Sequence, residues 1–360
     1  RINDIRILVL MKNILVYLSI IFVLSCAHEP NFDLSILDVK RIDIETAQIE
    51  NVDIYINQDR IVLIQNADSE DLAAKETVDA KGAYAIPGLW DNHIHFRGGE
   101  SLLKDNEMFL ERLIDYGITS VRDAGGDLTP SIKKWQLEVS KNERIGPTIF
   151  TSGPKIDGKN PTWQGSLEVE SEDELDQALD SLEQLEVDFI KLYDSKLNGN
   201  LFLSALKKST ARGFKSSGHM PFSVSLNQAL DAGMNGVEHL YYILKGSSKD
   251  ELEITKQFQQ GALGFWQAMP LLINSYDDAT AQSLFNKLKQ QEVFVIPTLH
   301  IGNTLSYLDE IDHSNDEYLN SLSPSFKITY ERRIKSARNS SLETRANRKK
   351  LDTLFGKLAL

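Results

Sequence analysis

The fold of this chain is decided by one stretch, Ile86-Pro87-Gly88-Leu89-Trp90-Asp91-Asn92-His93-Ile94-His95. Its two histidines lie two residues apart at the end of a short apolar run, after a Pro-Gly pair that breaks the preceding segment. Side chains two residues apart on a strand point the same way, so His93 and His95 can both reach one metal ion from a single strand end. The stretch therefore predicts a metal-ligating pair at an architectural boundary.

The composition is that of a globular protein, with 360 residues of which 41% are apolar and 25% are charged. This length predicts one large domain, or one domain with a small companion. The 52 acidic and 39 basic residues give a formal net charge of -13. Because nucleic-acid binding needs a cationic surface, we expect no nucleic-acid partner.

The N-terminus has the pattern of a signal peptide. Met11 is followed by a lysine and by the apolar run 14–24, which is about half of the ~20 residues that a membrane-spanning helix needs. We expect residues 11–25 to be the signal peptide and residues 1–10 to be upstream translation.

The only cysteine of the chain, Cys26, directly follows Val23-Leu24-Ser25. A lone cysteine cannot form an intramolecular disulfide, and this setting resembles the lipobox of bacterial lipoproteins. We therefore expect lipidation of Cys26, a linker over 26–35, and an exported protein that is lipid-anchored to the cell envelope, on its periplasmic or outer membrane face. The alternative is a plain secretory signal with an incidental cysteine.

Two patterns divide the remaining chain. Residues 36–66 alternate in short runs that indicate a small antiparallel sheet, with strands at 39–44, 52–56 and 61–64. From residue 84 onward, short apolar runs alternate with amphipathic segments, which is typical of parallel β/α units. The predicted strands of this part are 84–95, 118–122, 148–152, 188–193, 214–218, 236–240 and 293–299, and the predicted helices include 102–116, 172–185, 201–212, 279–291 and 345–360. We predict an α/β fold, a TIM-like (β/α)8 barrel over 86–360 whose eighth strand is missing from the chain.

Metal-competent side chains lie at the ends of four predicted strands. Four of the seven histidines occupy such positions, namely His93, His95, His219 and His239. A single histidine at a strand end is usually a satisfied core or surface residue, whereas the set in register favours a metal site. His28 and His313 are expected to be structural or solvent-facing. His300, just past the seventh predicted strand, is a candidate for lining the substrate pocket, and the sequence leaves this open.

Lys191 lies in the fourth of these strands, and lysines are rarely fully buried. The period of two places Phe189, Lys191 and Tyr193 on one face, and either face could point inward. If Lys191 faces the mouth, two nearby cations would favour its neutral amine, which can capture carbon dioxide and form a bridging carbamate. The alternative is a salt-bridged lysine with a snorkelling stem.

Together these residues resemble the amidohydrolase superfamily, and most closely its imidazolonepropionase-like and prolidase-like branch. The resemblance runs from about residue 36 to the end, and its motifs are specific in combination. In order, they are Pro87-Gly88 with His93 and His95, Gly117-Ile118-Thr119-Ser120-Val121-Arg122-Asp123, Phe189-Ile190-Lys191-Leu192-Tyr193, Gly218-His219 and Glu238-His239.

The resemblance implies a hydrolase that acts on the amide bonds of small substrates such as dipeptides or N-acyl amino acids. Two divalent ions, Zn²⁺ or a divalent neighbour, would generate a bridging hydroxide. One ion would be held by His93, His95 and a carboxylated Lys191, and the other by Lys191, His219 and His239. Tyr193 and His300 are candidate substrate contacts. The resemblance also implies that residues 36–85 form part of a β-sandwich subdomain.

The sequence departs from the family pattern at the eighth strand. The family aspartate, which would act as the general base, sits in a Gly-[Ser/Thr]-Asp strand, and no such strand occurs before Leu360. The catalytic base is thus unassigned, and two barrel edges would be unpaired. We expect a chain truncated at the C-terminus, and inactive or poorly folded in this form.

Two other functions stay open. A mononuclear imidazolonepropionase or deaminase would share the fold but would not need Lys191. A non-catalytic surface lipoprotein would keep the barrel as a binding module, although such a role does not require the histidines. The sequence leaves the oligomeric state open.

Overall fold

The computed structural model describes residues 31–360, which divide into one unit that ends at Pro87 and a second from Gly88 to Leu360. The predicted signal peptide and Cys26 lie outside the described residues. No helix within residues 31–360 combines the length and the apolar character needed to cross a membrane.

The first unit contains one five-stranded sheet in its described part. Its strands are β1 (Phe32–Ile42), β2 (Ile49–Asn57), β3 (Arg60–Asn66), β4 (Ala74–Asp79) and β5 (Tyr84–Ala85). β1 pairs antiparallel with β2 and parallel with both β4 and β5, while β2 and β3 form an antiparallel hairpin. The predicted antiparallel strands are confirmed, but β4 and β5 are parallel additions to that sheet. The sandwich stays a prediction.

The sheet begins earlier than the sequence pattern indicated, because β1 starts at Phe32, inside the predicted linker 26–35. The Phe32 ring packs 4.8 Å from the Tyr55 ring, measured between centroids, and the Asp33 backbone N–H donates to Asn57 Oδ1 at 3.0 Å. The polar residues around Phe32 hid this strand, since their partners are more than twenty residues away.

The second unit contains two parallel sheets. Its strands are β6 (Leu89–Ile94), β7 (Ile118–Asp123), β8 (Thr148–Thr151), β9 (Ile156–Asp157), β10 (Leu167–Glu168), β11 (Ile190–Leu192), β12 (Ser216–Gly218), β13 (Gly236–Glu238) and β14 (Phe294–Ile296). The strand orders are β6-β7-β8 and β10-β9-β11-β12-β13-β14. Across the gap between the sheets, the Asp188 N–H donates to the Thr151 carbonyl at 2.9 Å.

Each of the seven predicted strands of the parallel part has an observed counterpart. Six are shorter than predicted, and β7 extends one residue further, to Asp123. The single strand predicted over 84–95 is wrong, because residues 84–85 pair with β1 in the first unit and only Leu89–Ile94 joins the parallel part. The two-residue strands β9 and β10 were missed, because two residues carry no periodic signal. Within residues 31–360 no strand follows β14, and the eight-stranded barrel is not confirmed. The mixed α/β class and the N-terminal sheet are confirmed.

Helices follow most strands of the second unit. They are Leu103–Asp115, Thr129–Ser140, Glu172–Gln184, Gly199–Ala211, Leu226–Asp231, Tyr241–Gly246, Glu251–Gln259, Phe265–Ser275, Asp278–Gln290, Leu299–Ser306, Glu317–Ser321, Pro324–Arg338 and Leu342–Leu358. The helix after β10 shows why these segments fold: Ser171 caps its first turn, and Leu175, Leu179 and Leu182 form one fully buried face.

Close backbone packing joins β11 to β12. A Cβ atom on Gly218 would lie 2.1 Å from the Leu192 carbonyl oxygen, a distance that no side chain tolerates. Lys191 lies opposite Ser217 in this pair, and Leu192 lies opposite Gly218. The glycine therefore sets the strand spacing at the point where His219 begins.

We expect Gly218→Ala to lower the free energy of unfolding by about 3 kcal/mol or more, because the clash is with backbone that cannot move aside. Gly356→Ala is the matched control, since nothing lies within 4 Å of the corresponding Cβ position. In a helix interior that change should be neutral or stabilise by about 0.5–1 kcal/mol. Urea unfolding of both variants measures the difference, and equal stabilities would contradict the packing argument.

The helical layer also contains a buried lysine that the sequence did not indicate. Lys245 is fully buried, and its ammonium donates to the backbone carbonyls of Phe222 and Val224. Burial lowers the pKa of Lys245 to about 7. In the unfolded chain the pKa of a lysine is about 10.4.

Between pH 7 and pH 10 the unfolded chain thus holds a proton on Lys245 that the folded chain has released. The free energy of unfolding should therefore rise with pH, by about 1.4 kcal/mol per unit from this group. Lys245→Met should lose that part of the slope between pH 7.5 and 9, whereas exposed Lys207→Met should keep it. Denaturant titrations at each pH would contradict this if both variants had the same slope.

Candidate metal centre

Four predicted histidines meet at the carboxyl ends of the parallel strands. His93 and His95 come from the end of β6, His219 follows β12, and His239 follows β13. Measured between ring centroids, His93 lies 4.9 Å from His95 and 4.7 Å from His239. The centroids of His219 and His239 are 4.8 Å apart. Strands that are distant in the sequence thus place their histidines in one cluster, as the register predicted.

Each of these rings has its Nδ1 atom engaged by an oxygen. The partners are Glu238 Oε2 for His93 at 2.6 Å, the Gly125 carbonyl for His95 at 2.7 Å, Asp194 Oδ1 for His219 at 3.2 Å and Thr298 Oγ1 for His239 at 2.6 Å. A carbonyl or carboxylate oxygen can only accept, so Nδ1 carries the hydrogen in the first three rings. Their Nε2 atoms are left with a free lone pair, the arrangement typical of metal-ligating histidines.

The electrostatics favour neutral imidazoles. Burial lowers the pKa of His95 and His219 well below the usual value, lowers that of His93, and lowers that of His239 to about 2. The neighbouring cationic Lys191 acts in the same direction on all four. At neutral pH the cluster therefore presents uncharged nitrogen donors.

Lys191 lies among these strands with its side chain fully buried. Its Nζ atom makes no hydrogen bond and lies 3.6 Å from Glu238 Oε1. Burial lowers the pKa of Lys191 to about 8. The period of two left the orientation of this side chain open, and in the structure it points into the protein. The alternative of a salt-bridged lysine is confirmed in its ion pair with Glu238, whereas its snorkelling stem is wrong because no part of the side chain reaches solvent.

Glu238 organises the base of this cluster. Its carboxylate accepts from His93 Nδ1, from Arg122 Nη1 at 2.7 Å, and from the Ser217 hydroxyl. Burial alone would raise the pKa of Glu238, but the charge of Lys191 and the hydrogen bond from His93 hold that pKa well below its usual value. The carboxylate is therefore ionised, and both of its oxygens accept hydrogen bonds from neighbouring side chains.

The donor set fits a divalent ion such as zinc, since neutral imidazole nitrogens oriented by outer oxygens are its preferred ligands. The Nζ atom of Lys191 adds a buried amine that is ion-paired with Glu238 but has no hydrogen-bond partner. Among residues 31–360, however, no three His, Cys, Asp or Glu groups already stand at the geometry of a formed site. The histidine rings lie together with their Nδ1 atoms held by oxygens. A bound metal would draw their Nε2 atoms to the spacing of a formed site.

Three further side chains border His219. The Tyr193 ring lies 4.2 Å from the His219 ring, and Asp194 accepts from both His219 Nδ1 and the Tyr242 hydroxyl, the latter at 2.9 Å. Burial raises the pKa of Asp194 to about 6. Sequence reasoning missed Asp194, Tyr242 and Thr298, although Asp194 directly follows the predicted strand 188–193 and could have been found as a strand-end carboxylate.

The remaining histidines do not join the cluster in the part of the chain that the structure describes. His300 is exposed near the start of the helix Leu299–Ser306. His313 packs against Tyr330, with ring centroids 5.3 Å apart. A substrate contact by His300 stays a prediction, and a structural place for His313 agrees with what its polar loop indicated.

Solved structures with the same fold are amidohydrolases and prolidases. The bottromycin amidohydrolase superposes with a TM-score of 0.61 and 18% identity over 90% of this chain and 65% of its own. This chain has the fold of the amidohydrolase superfamily. A Xaa-Pro dipeptidase with bound methionine has a TM-score of 0.58 with 15% identity, covering 78% of this chain and 70% of its own. A putative prolidase from Bifidobacterium longum has a TM-score of 0.54 with 16% identity, covering 85% of this chain and 69% of its own.

Curated sequences that match the chain are adenine deaminases, which belong to the same superfamily. The enzyme from Leuconostoc citreum is 36% identical over 86 residues, covering 24% of this chain and 15% of the deaminase. The enzyme from Desulforamulus reducens is 26% identical over 200 residues, covering 54% of this chain and 32% of the deaminase. The matched part of the chain therefore spans less than a third of the length of each of these two relatives. No family model matches it.

We expect Glu238→Gln to lower the free energy of unfolding by about 3 kcal/mol or more, because it leaves buried cationic groups without their counter-charge. Glu170→Gln serves as the control, since Glu170 pairs with Lys159 at an exposed position and should cost less than about 1 kcal/mol. Urea unfolding at pH 7.5 compares the two variants. Equal, small losses would show that Glu238 does not hold the cluster together.

Proposed function

We propose that this chain carries the metal centre of a hydrolase that cleaves carbon–nitrogen bonds in small substrates such as dipeptides or N-acyl amino acids. The observation that carries the proposal is the set of four histidine rings, each held by an oxygen at Nδ1, around the buried amine of Lys191, which is ion-paired with Glu238 but has no hydrogen-bond partner. The fold shared with amidohydrolases and prolidases supports it.

The ligands would divide into two groups that share Lys191. One divalent ion would be held by His93, His95 and Lys191, and the other by Lys191, His219 and His239. Bound divalent ions would supply Lewis-acid activation of water and of the scissile carbonyl at neutral pH. The protein would hold the imidazoles in their ligating tautomer through Glu238 and the other oxygen partners.

Lys191 would act as a ligand only after carboxylation. Its neutral amine would attack carbon dioxide, form a nitrogen–carbon bond and release one proton to solvent, which leaves an anionic carbamate. The lowered pKa of Lys191, about 8, increases the neutral fraction that this step requires. A carbamate would also convert a buried cation into an oxygen donor that can bridge two metals.

A mononuclear deaminase is the second candidate, and the sequence similarity to adenine deaminases favours it. In that case one ion would suffice and Lys191 would not be a ligand. The two candidates differ in the number of metals and in the role of one side chain, so one experiment separates them.

For either function we propose attachment to the cell envelope through Cys26.

The test counts metals. The chain, incubated with zinc and bicarbonate and then desalted, should retain two zinc ions per chain by elemental analysis, and Lys191→Ala should retain one or none. Exposed Lys207→Ala is the control and should retain two. One ion that Lys191→Ala leaves unchanged would favour the deaminase, and no bound zinc would contradict both.

Activity then identifies the substrate. The protein should release amino acids from a panel of dipeptides and N-acetyl amino acids, lose this activity with a chelator and regain it with zinc. Lys191→Ala should reduce the rate at least about 100-fold, since the loss of a metal ligand removes the water activation. Ammonia release from adenine without hydrolysis of the panel would contradict the proposed substrate class.

A further inference from the structure

A second group of cationic side chains lies beside the candidate metal centre. Arg97 follows β6, two residues after His95, and Lys155 lies just after β8. Both side chains point to one aromatic ring: the Arg97 guanidinium carbon lies 4.3 Å and Lys155 Nζ lies 5.7 Å from the ring centroid of Trp163. Two positive charges are thus held close together, although like charges repel.

Lys155 connects this group to the histidines. Its Nζ atom donates to the Gly125 carbonyl at 3.3 Å, the same oxygen that accepts from His95 Nδ1. The same Nζ atom lies 5.5 Å from the ring centroid of Tyr193, which packs against His219. The ammonium therefore adjoins two of the four predicted metal ligands, and its residue is only 3% exposed.

The loop that carries Trp163 is fixed in place. The Thr162 N–H donates to Ser195 Oγ at 3.0 Å, and the Ser166 hydroxyl donates to the Trp163 carbonyl at 2.9 Å. A Cβ atom on Gly165 would lie 2.8 Å from Asp127 Cβ, so the loop packs directly on the segment after β7. The aromatic ring is consequently a stable platform for both cations.

Three carboxylates lie near enough to attract these cations, but none of them pairs directly with either one, and each is held by other donors. Asp157 accepts from the backbone N–H groups of Gly158, Lys196 and Leu197, and Asp123 accepts from the Phe96 N–H and the Thr151 hydroxyl. Asp127 accepts from the Gly98 N–H.

Within residues 31–360, neither Arg97 nor Lys155 forms a salt bridge, and the Arg97 guanidinium donates no hydrogen bond to the protein. A buried cation without an anionic partner is costly, so the arrangement calls for an anion from outside the chain.

We propose that Arg97 and Lys155, on the Trp163 platform, bind a free carboxylate of the substrate and thereby select dipeptides or N-acyl amino acids. The inference rests on the proposed function and deepens it. An arginine presents paired N–H donors that match a carboxylate, and a lysine adds a point charge. Adenine carries no carboxylate, so this site discriminates between the two candidate functions.

The test measures binding rather than turnover. Titration calorimetry with benzoate, its neutral analogue benzamide and inorganic phosphate is carried out on the wild-type chain and on Lys155→Met, Arg97→Met and Arg97→Lys. We expect benzoate to bind at least tenfold more tightly than benzamide, and both methionine variants to lose at least tenfold in benzoate affinity. Arg97→Lys should lose less affinity than Arg97→Met, because it keeps the charge but not the paired N–H donors. Lys207→Met is the matched surface control and should behave as wild type.

Benzoate affinity that survives both methionine variants would overturn the proposal, as would benzoate that binds no better than benzamide. Tighter binding of phosphate than of benzoate would overturn the carboxylate assignment. A purely structural role would lower the melting temperature of Lys155→Met while Arg97→Met, at a half-buried position, folds and binds benzoate normally. Failure of the hydrolase proposal appears separately, as absent zinc, because benzoate binding at these cations needs no metal.

Discussion

The buried carboxylate of Glu238 is the contact on which the candidate centre depends. It lies at the end of β13 and joins side chains from three other strands: His93 from β6, Arg122 from β7 and Ser217 from β12. It also faces the amine of Lys191 on β11. An ionised carboxylate is stable at such depth only because positive and hydrogen-bonding groups surround it. One side chain thus contacts each of the strand ends that surround the candidate centre.

The same principle operates around the other histidines. Each Nδ1 atom meets an oxygen that the fold supplies: a carbonyl after β7, a carboxylate after β11 and a hydroxyl after β14. Burial keeps the rings neutral, so hydrogen bonding and desolvation together prepare the Nε2 donors. The histidines are therefore oriented by the protein before any metal is considered, as a functional site requires.

The sequence predicted the strands and the histidines because both leave local signals. Short apolar runs mark β6, β7 and β11, and a ligand such as His219 stands directly after its strand. The partners were harder to predict, because they act through contacts between distant strands. Glu238 was only half of a motif, while Arg97, Lys155 and Trp163 have no shared spacing and meet only in the folded chain. The early start of β1 at Phe32 was hidden for the same reason.

We propose that the Nε2 atoms of His93, His95, His219 and His239 converge on divalent metal ions. Anomalous diffraction at the zinc edge, from crystals of the chain grown with zinc and bicarbonate, tests this most directly. We expect two peaks, with Nε2 ligands at about 2.0–2.1 Å and with density for a carboxylated Lys191 between them. Zinc bound away from these histidines, or through Nδ1 atoms freed from their oxygen partners, would contradict it.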